Sequence, residues 1–503
     1  MTIKPTVMKR ILVLVLAVCS LSACKKWLSI TPKSEISSTE LFKSEQGYKD
    51  ALIGTYLLMT STNTYGFEST VGLMDVLGQQ YAMPGSTHPY YFASLYQYDQ
   101  LSVISKKDNI WSGNYNVIAN LNNIINTIDR DKNSMNPANY ALIKGEAMGL
   151  RAFLHFDLYR TFGYGNLANS PAGLTEKTLP YVNSYSKEIT PRATGQAFLD
   201  SVQYDLSRAA DLMAKYDSVS VTQNTQNGVI IPNADHFYDN RKMRFNYYAI
   251  RATQARVYLW LGKYDKAIQA AQEVITKGQG YLVSFNGGTI NNPDPVNKDY
   301  TFSTEHIFSL NVQNMYDFIK PYIDQFGPDG VNTNYSQLAH SGTVANDLYE
   351  INSKPGMSLS DYRYKELYKK ISSTNYLLLK FTYVTNSSYK DRMPIIKLPE
   401  MYYILAECYN EMNDPASAVT YLNTVRINRG ISPLYNLPAT LGKEDVAAEI
   451  QKEYRKELVS EGQLFYFYKR RGNVSIPGTA KVMDNAVYVL PVPQAETDMS
   501  GGH

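Results

Sequence analysis

The sequence predicts a mostly α fold: a tetratricopeptide-like helical-repeat scaffold bearing a large, irregular, loop-rich insert with short helices and, at most, small strands. Three observations lead there. Apolar residues recur with a helical period over several long stretches. Two segments share the small-residue frame of a packed helix pair, and the chain between them, about 278–395, is broken by glycine and proline and keeps no sustained period.

The chain opens with Lys4, Lys9 and Arg10, then an apolar run from Ile11 to Val18, then Leu21-Ser22-Ala23-Cys24. A charged start, a short apolar core and small residues at the end make residues 1–23 a secretory signal peptide. The run is too short to cross a bilayer, which takes about 20 apolar residues. Leu-Ser-Ala-Cys also has the form of a bacterial lipobox, so Cys24 is expected to carry lipid; several acyl chains hold a protein at a membrane where one does not. Residues 24–40, rich in Ser and Thr with Pro32, are expected to be the tether. Loss of the signal lowers Lys+Arg from 49 to 46 against 46 Asp+Glu, leaving no basic excess of the kind a nucleic-acid binder shows. Of three cysteines, Cys19 leaves with the signal and Cys24 is acylated. Cys408 then has no partner for an intrachain disulfide.

From Glu40 the pattern turns helical, with Leu41, Tyr48, Leu52, Ile53, Tyr56 and Leu57 near a 3.6-residue period. A loop-like stretch from about Tyr65 to Lys107 follows, and Trp111, Tyr115, Ile118, Leu121, Ile124, Ile125 and Ile128 mark another helix. The repeat frame is Ala255-x-x-Tyr258-x-x-x-Gly262-x-Tyr264-x-x-Ala267, and it recurs as Ala406-x-x-Tyr409 with Ala418, turning at Asn413-Asp414-Pro415. The small residues let two helices touch. The insert is read as folded loops on one face of that scaffold, because a structureless segment of its length is unusual in a compact protein.

Motifs for chemistry are absent: no Gly-x-Ser-x-Gly, no His-Glu-x-x-His, and in Gly163-Tyr164-Gly165 no third glycine for a phosphate loop. The six histidines are not spaced as metal ligands, and no cofactor or metal is expected. Glu453, Glu457 and Glu461 fall at i, i+4 and i+8 and read as a solvated or ion-paired helix face, not as a catalytic carboxyl pair. The positive signal is tyrosine, 42 of them against 17 phenylalanines and 3 tryptophans. An aromatic face stacks on the C–H face of a sugar while neighbouring polar groups bond its hydroxyls. Tyr90, Tyr91, Tyr96, Tyr98 and Trp111 are therefore candidate ligand-binding residues, with Tyr316 and Tyr322 in the insert as a second wall.

Five blocks carry a resemblance along nearly the whole mature chain. They are Cys24 with Trp27-Leu28, Pro32 and the helix from Leu41-Phe42 to Tyr56; Gly145-Glu146-Ala147-Met148-Gly149-Leu150-Arg151-Ala152-Phe153 through Phe162-Gly163; Pro399-Glu400-Met401-Tyr402-Tyr403 into Tyr421 to Gly430; Glu453-Tyr454-Arg455-Lys456-Glu457-Leu458 with Glu461-Gly462, Lys469-Arg470 and Gly472; and Leu490-Pro491-Val492-Pro493-Gln494 with Glu496. In this order they resemble the SusD/RagB family of outer-membrane nutrient-binding lipoproteins. The resemblance implies one folded domain over residues 41–503 with the insert facing the ligand. It implies a lipid-anchored, cell-surface protein that catalyses nothing. Such a protein binds a nutrient, usually an oligosaccharide, and delivers it to a SusC-like, TonB-dependent barrel transporter. Peptide capture, as in the RagB branch, and a repeat scaffold for envelope assembly are the alternative roles. The chain departs from the family at Leu464 and Phe467, where polar and acidic residues are usual, in its Ser500-Gly501-Gly502-His503 finish, and at Lys25-Lys26, where surface lipoproteins often carry acids.

Overall fold

Helices packed in antiparallel neighbours form the body of the protein. The computed structural model describes residues 38–499 except 84, 221–224, 227–228, 231–232, 324–335, 373 and 384–385, so the signal segment, Cys24 and the residues from Ser500 on lie outside the described residues. Two units divide between Gly47 and Tyr48. In the first, Ser38–Leu41 is a short helix. The account below concerns the second.

Its scaffold helices are Leu101–Ile128, Pro137–Phe162, Gly195–Met213, Tyr247–Trp260, Tyr264–Glu273, Leu398–Glu411, Pro415–Asn428 and Lys443–Glu457. Caps fix where several begin. Asn136, Thr194, Asn246 and Asp414 each accept a bond from a backbone N–H in the first turn of their helix, and Pro137 and Pro415 sit where a missing N–H costs nothing.

Both predicted repeat frames are helix pairs. In the first, Gly262 turns the chain at φ +67° and Ala255 and Ala267 are fully buried between the helices. In the second, Asn413 takes the left-handed turn at φ 62°, and Ala406 and Ala418 are buried. Helix 264–273 packs on helix 398–411, so the two pairs are neighbours despite the insert between them. The helix marked from Trp111 begins earlier, at Leu101. Val103, Lys107 and Ile110 continue its buried face, and the polar Ser-Lys-Lys-Asp-Asn run between them hides the period.

Helix 137–162 is buried over almost its whole length. Its glycines permit that: a Cβ on Gly145 would lie 2.4 Å from Met213 Cγ, and one on Gly149 2.9 Å from the Phe245 ring. Its charges are matched. Glu146 meets Arg241 and Arg244 and accepts from the Tyr56 hydroxyl at 2.6 Å, while Arg151 makes a bidentate pair with Asp205 at 2.7 and 2.8 Å.

The insert contains small strands and short helices. His306–Asn311 pairs antiparallel with Arg392–Lys397, with Leu310 opposite Met393, and so closes the insert at a neck beside the scaffold. Farther along, His340–Ser341, Asn375–Leu378 and Tyr368–Lys370 form a three-stranded sheet with Asn375–Leu378 in the middle.

A buried ionic network joins insert to scaffold. Arg429 binds Glu305 and Glu457; Arg363 binds Asp361, Glu453 and Glu457; Lys397 binds Glu457 and Glu461; and Lys380 binds Glu461, every pair at 3.3 Å or less. The expected face of three glutamates is thus ion-paired and not solvated, and the helix ends at Glu457, so Glu461 reaches the network from the following turn. Burial alone would raise Glu453, but Arg363, Lys456 and Arg426 outweigh it and hold that carboxyl well below the usual range.

Candidate functional site

The aromatic residues singled out in the sequence do not form one shelf, because the elements that carry them face different ways. Tyr96, Tyr98 and Trp111 are core packing. Tyr96 donates to the Leu77 carbonyl at 2.9 Å and Tyr98 to the Val487 carbonyl at 2.7 Å. Trp111 is 8% exposed and lies against Tyr115 and Phe162. As walls for a ligand beside Tyr90 these three are corrected: their hydroxyls or ring faces are already engaged. Tyr91, half-buried, contacts Phe92, and Tyr316 lies against Tyr383, ring centroids 5.4 Å apart.

Tyr90 and Tyr322 do come together. Helix Met315–Ile323 carries Phe318 and Tyr322 to Phe67, with centroids 6.5 and 4.7 Å away, and Tyr90 meets Tyr322 edge to face at 6.0 Å. Tyr90 is the inner member, 1% exposed, so as a contact for a ligand it too is corrected and serves as the backing of the half-buried Phe318 and Tyr322. Such pairs contribute about 0.5–1.5 kcal/mol each beyond the area they bury.

Polar groups fix the junction. Glu68 accepts from the Tyr90 hydroxyl at 2.9 Å and from the Leu73 N–H at 2.9 Å, and Lys106 stands 3.9 Å from it and over the Tyr90 ring. Burial raises the Glu68 carboxyl, against the pull of Lys106. The Tyr90 N–H donates to His88 Nδ1 at 3.1 Å, which leaves the other ring nitrogen to donate to the Gln337 carbonyl at 3.1 Å. Ala82 N donates to the Ala339 carbonyl at 2.8 Å, which together with the His88–Gln337 bond ties the 79–100 loop to the insert along one line, and within the insert Leu338 N donates to the Tyr322 carbonyl at 2.8 Å.

That line continues into aromatic packing that the sequence reading missed. Tyr81 meets His340 at 4.9 Å, His340 meets Tyr368 at 5.2 Å, and Tyr364 and Tyr376 extend the group at 6.1 and 6.2 Å from Tyr368. The Tyr364–Tyr368 spacing of four residues was the available signal. The partners Phe67, Glu68 and Lys106 had none, since each is ordinary until the fold sets it beside Tyr90.

Chemically the junction offers half-exposed aromatic edges and faces backed by fixed polar groups, which suits a ligand with alternating C–H and hydroxyl surfaces. Among the described residues no group of three or more His, Cys, Asp or Glu is placed to hold a metal ion. No helix there is long and apolar enough to cross a membrane.

Comparison with known proteins places these features in context. Residues 26–231 match a SusD-like family described as starch-binding and associating with the outer membrane, and residues 255–474 match the SusD family. A SusD-like protein of Formosa agariphila is 24% identical over 361 residues, 63% of this chain, and the chain spans 64% of that relative's length. Another from the same organism is 21% identical over 472 residues, covering 83% of this chain and 81% of the relative. Among solved structures, a SusD superfamily protein from Bacteroides thetaiotaomicron superposes with a TM-score of 0.67 at 24% identity, over 91% of this chain and 98% of that one. A SusD-like carbohydrate-binding protein from Bacteroides vulgatus gives a TM-score of 0.67 at 18% identity, over 92% and 97%. At these identities the structural likeness is one of fold.

Proposed function

The chain belongs to the SusD family, and from that premise we propose that it is a non-catalytic lipoprotein that captures a nutrient glycan at the outer membrane and delivers it to a SusC-like, TonB-dependent barrel. The observation that carries the reading is the junction of Phe67, Tyr90, Phe318 and Tyr322, where the half-buried Phe318 and Tyr322 of the insert pack over the buried Phe67 and Tyr90. The description of its relatives as starch-binding or carbohydrate-binding supports a sugar as the cargo. The row of glutamates that the sequence offers as a carboxyl pair is not available to a substrate: Glu453, Glu457 and Glu461 are 4% exposed or less and pinned by Arg and Lys. Lipid on Cys24 and a cell-surface position belong to the same proposal.

Calorimetric titration with hexaoses of starch, laminarin and xylan tests the cargo. Binding to at least one, weakened by Tyr322→Ala, is expected; silence on all three together with binding of peptides would replace the glycan by a peptide. Recovery of a TonB-type barrel with the native protein tests the partner, and recovery of envelope-assembly factors in its place would overturn it.

A further inference from the structure

We propose that the cleft between residues 164–176 and 472–488 is a second carbohydrate subsite, with Tyr164 as its stacking surface; this rests on the reading that the cargo is a glycan. The cleft encloses about 470 Å³, within the range of roughly 300–1,000 Å³ usual for small-ligand pockets. It shares no lining residue with the Tyr90–Tyr322 junction.

Its walls are built to hold their places. Trp260 Nε1 donates to the Tyr164 carbonyl at 3.2 Å, which anchors the backbone beneath the half-buried Tyr164 ring. Gly165 and Gly472 let the walls meet: a Cβ on the first would lie 2.4 Å from the Lys469 carbonyl oxygen, and one on the second 2.3 Å from Asn166 Nδ2. Gly472 also stands at φ +64°, where an L side chain is strained.

The lining groups suit hydroxyls. Asn166, Glu176, Asp484 and Asn485 offer amide and carboxylate groups beside the Tyr164 ring, and the last three are exposed to solvent. The carboxylates disfavour phosphate or another anion. A neutral polyhydroxyl ring gains from both the aromatic face and the acceptors. Lys469 forms part of the wall: its carbonyl and Cγ meet Gly165, while its buried Nζ is committed to the Thr161 carbonyl at 3.0 Å.

The test is saturation-transfer NMR on the mature chain with maltotriose, laminaritriose and xylotriose, each short enough to engage one site at a time, using Tyr322→Ala, Tyr164→Ala, Tyr164→Phe and the Tyr322→Ala/Tyr164→Ala double variant. At least one trisaccharide should still receive saturation from Tyr322→Ala protein, and the double variant should weaken that binding tenfold or more. Tyr164→Phe, which keeps the ring, should restore it in the Tyr322→Ala background. If Tyr322→Ala alone abolishes binding while Tyr164→Ala changes nothing, the second subsite is wrong and the glycan reading stands. If neither the trisaccharides nor the hexaoses bind the unaltered protein, both fall. Circular dichroism and a thermal melt confirm that each variant is folded.

Discussion

Arg429 has no exposed surface and divides its guanidinium between Glu305 of the insert and Glu457 of the scaffold. Replacing it with alanine leaves buried carboxylates uncompensated, and unfolding in urea should show a loss of about 3–5 kcal/mol. Protons give a second handle at this scale. His155 stacks on Tyr181 at 4.0 Å, bonds the Arg151 carbonyl through Nδ1 and accepts from the Val182 N–H through Nε2. Burial lowers its pKa from 6.5 to about 3, and His340 is lowered likewise to about 3. Because the folded values lie below the unfolded ones, each histidine's contribution is complete above pH 6.5 and is lost as pH falls toward 3, by about 1.4 kcal/mol per pH unit for each group. Asp75 acts in the opposite sense: burial raises it to about 6, so its contribution is present in acid and fades as pH rises through that value. Stability measured from pH 7 to 5 should therefore fall, and His155→Gln should flatten the slope by about one proton. An unchanged slope would show that His155 is not the group responsible. None of these partnerships was legible in the sequence, where Glu453, Glu457 and Glu461 show a spacing but Glu305 and Asp361 give no sign that they share the same buried volume.

Short-range elements were far easier to read. The alanine frames at 255–267 and 406–418 predict helix pairs because the contact they encode lies within one turn of chain, and both pairs are present. Gly262→Ala tests that logic. Its φ of +67° costs an L residue about 1 kcal/mol, and the new Cβ would fall 2.7 Å from Ala168 Cβ, so denaturation should report a loss of about 1–2 kcal/mol with helical content unchanged. The strands of the insert were harder to place. His340–Ser341 is two residues long and Tyr368–Lys370 three, too short for an alternating pattern, and their pairing is set by partners elsewhere in the chain. The start of helix 101–128 was obscured for a related reason: Lys107 is on its buried face, paired to Asp108 at 2.6 Å, where a pattern of apolar residues leaves a gap.

For the whole molecule, the meeting of the two segments was legible in part. Density of tyrosine pointed to two segments that do meet, at Tyr90 and Tyr322, but Tyr96, Tyr98 and Trp111 are buried away from that junction, the first two against Phe465 and the Val487 carbonyl near the end of the chain and Trp111 against Tyr115 and Phe162. Tyr322→Ala combined with Phe318→Ala should lower affinity for the cognate hexaose by tenfold or more, with a lower melting temperature but the far-ultraviolet circular dichroism of the folded chain retained at 25 °C; equal affinity would remove the junction from consideration. Cys24→Ala should release the chain from the membrane fraction and abolish incorporation of labelled palmitate; continued membrane retention would mean another anchor. The paired strands 306–311 and 392–397 carry a consequence for how such proteins diversify. Everything between them leaves and re-enters the scaffold through a single doorway, so an exchange of that cassette between relatives needs only two joints to match. Arg363 and Lys380 lie inside it, and their acidic partners Glu453, Glu457 and Glu461 lie outside. A transplanted cassette that lacks those cations would leave each buried glutamate short of a partner, so the network acts as a compatibility key, favouring recombination with donors that bring the same charges while leaving the cassette's other loops free to vary.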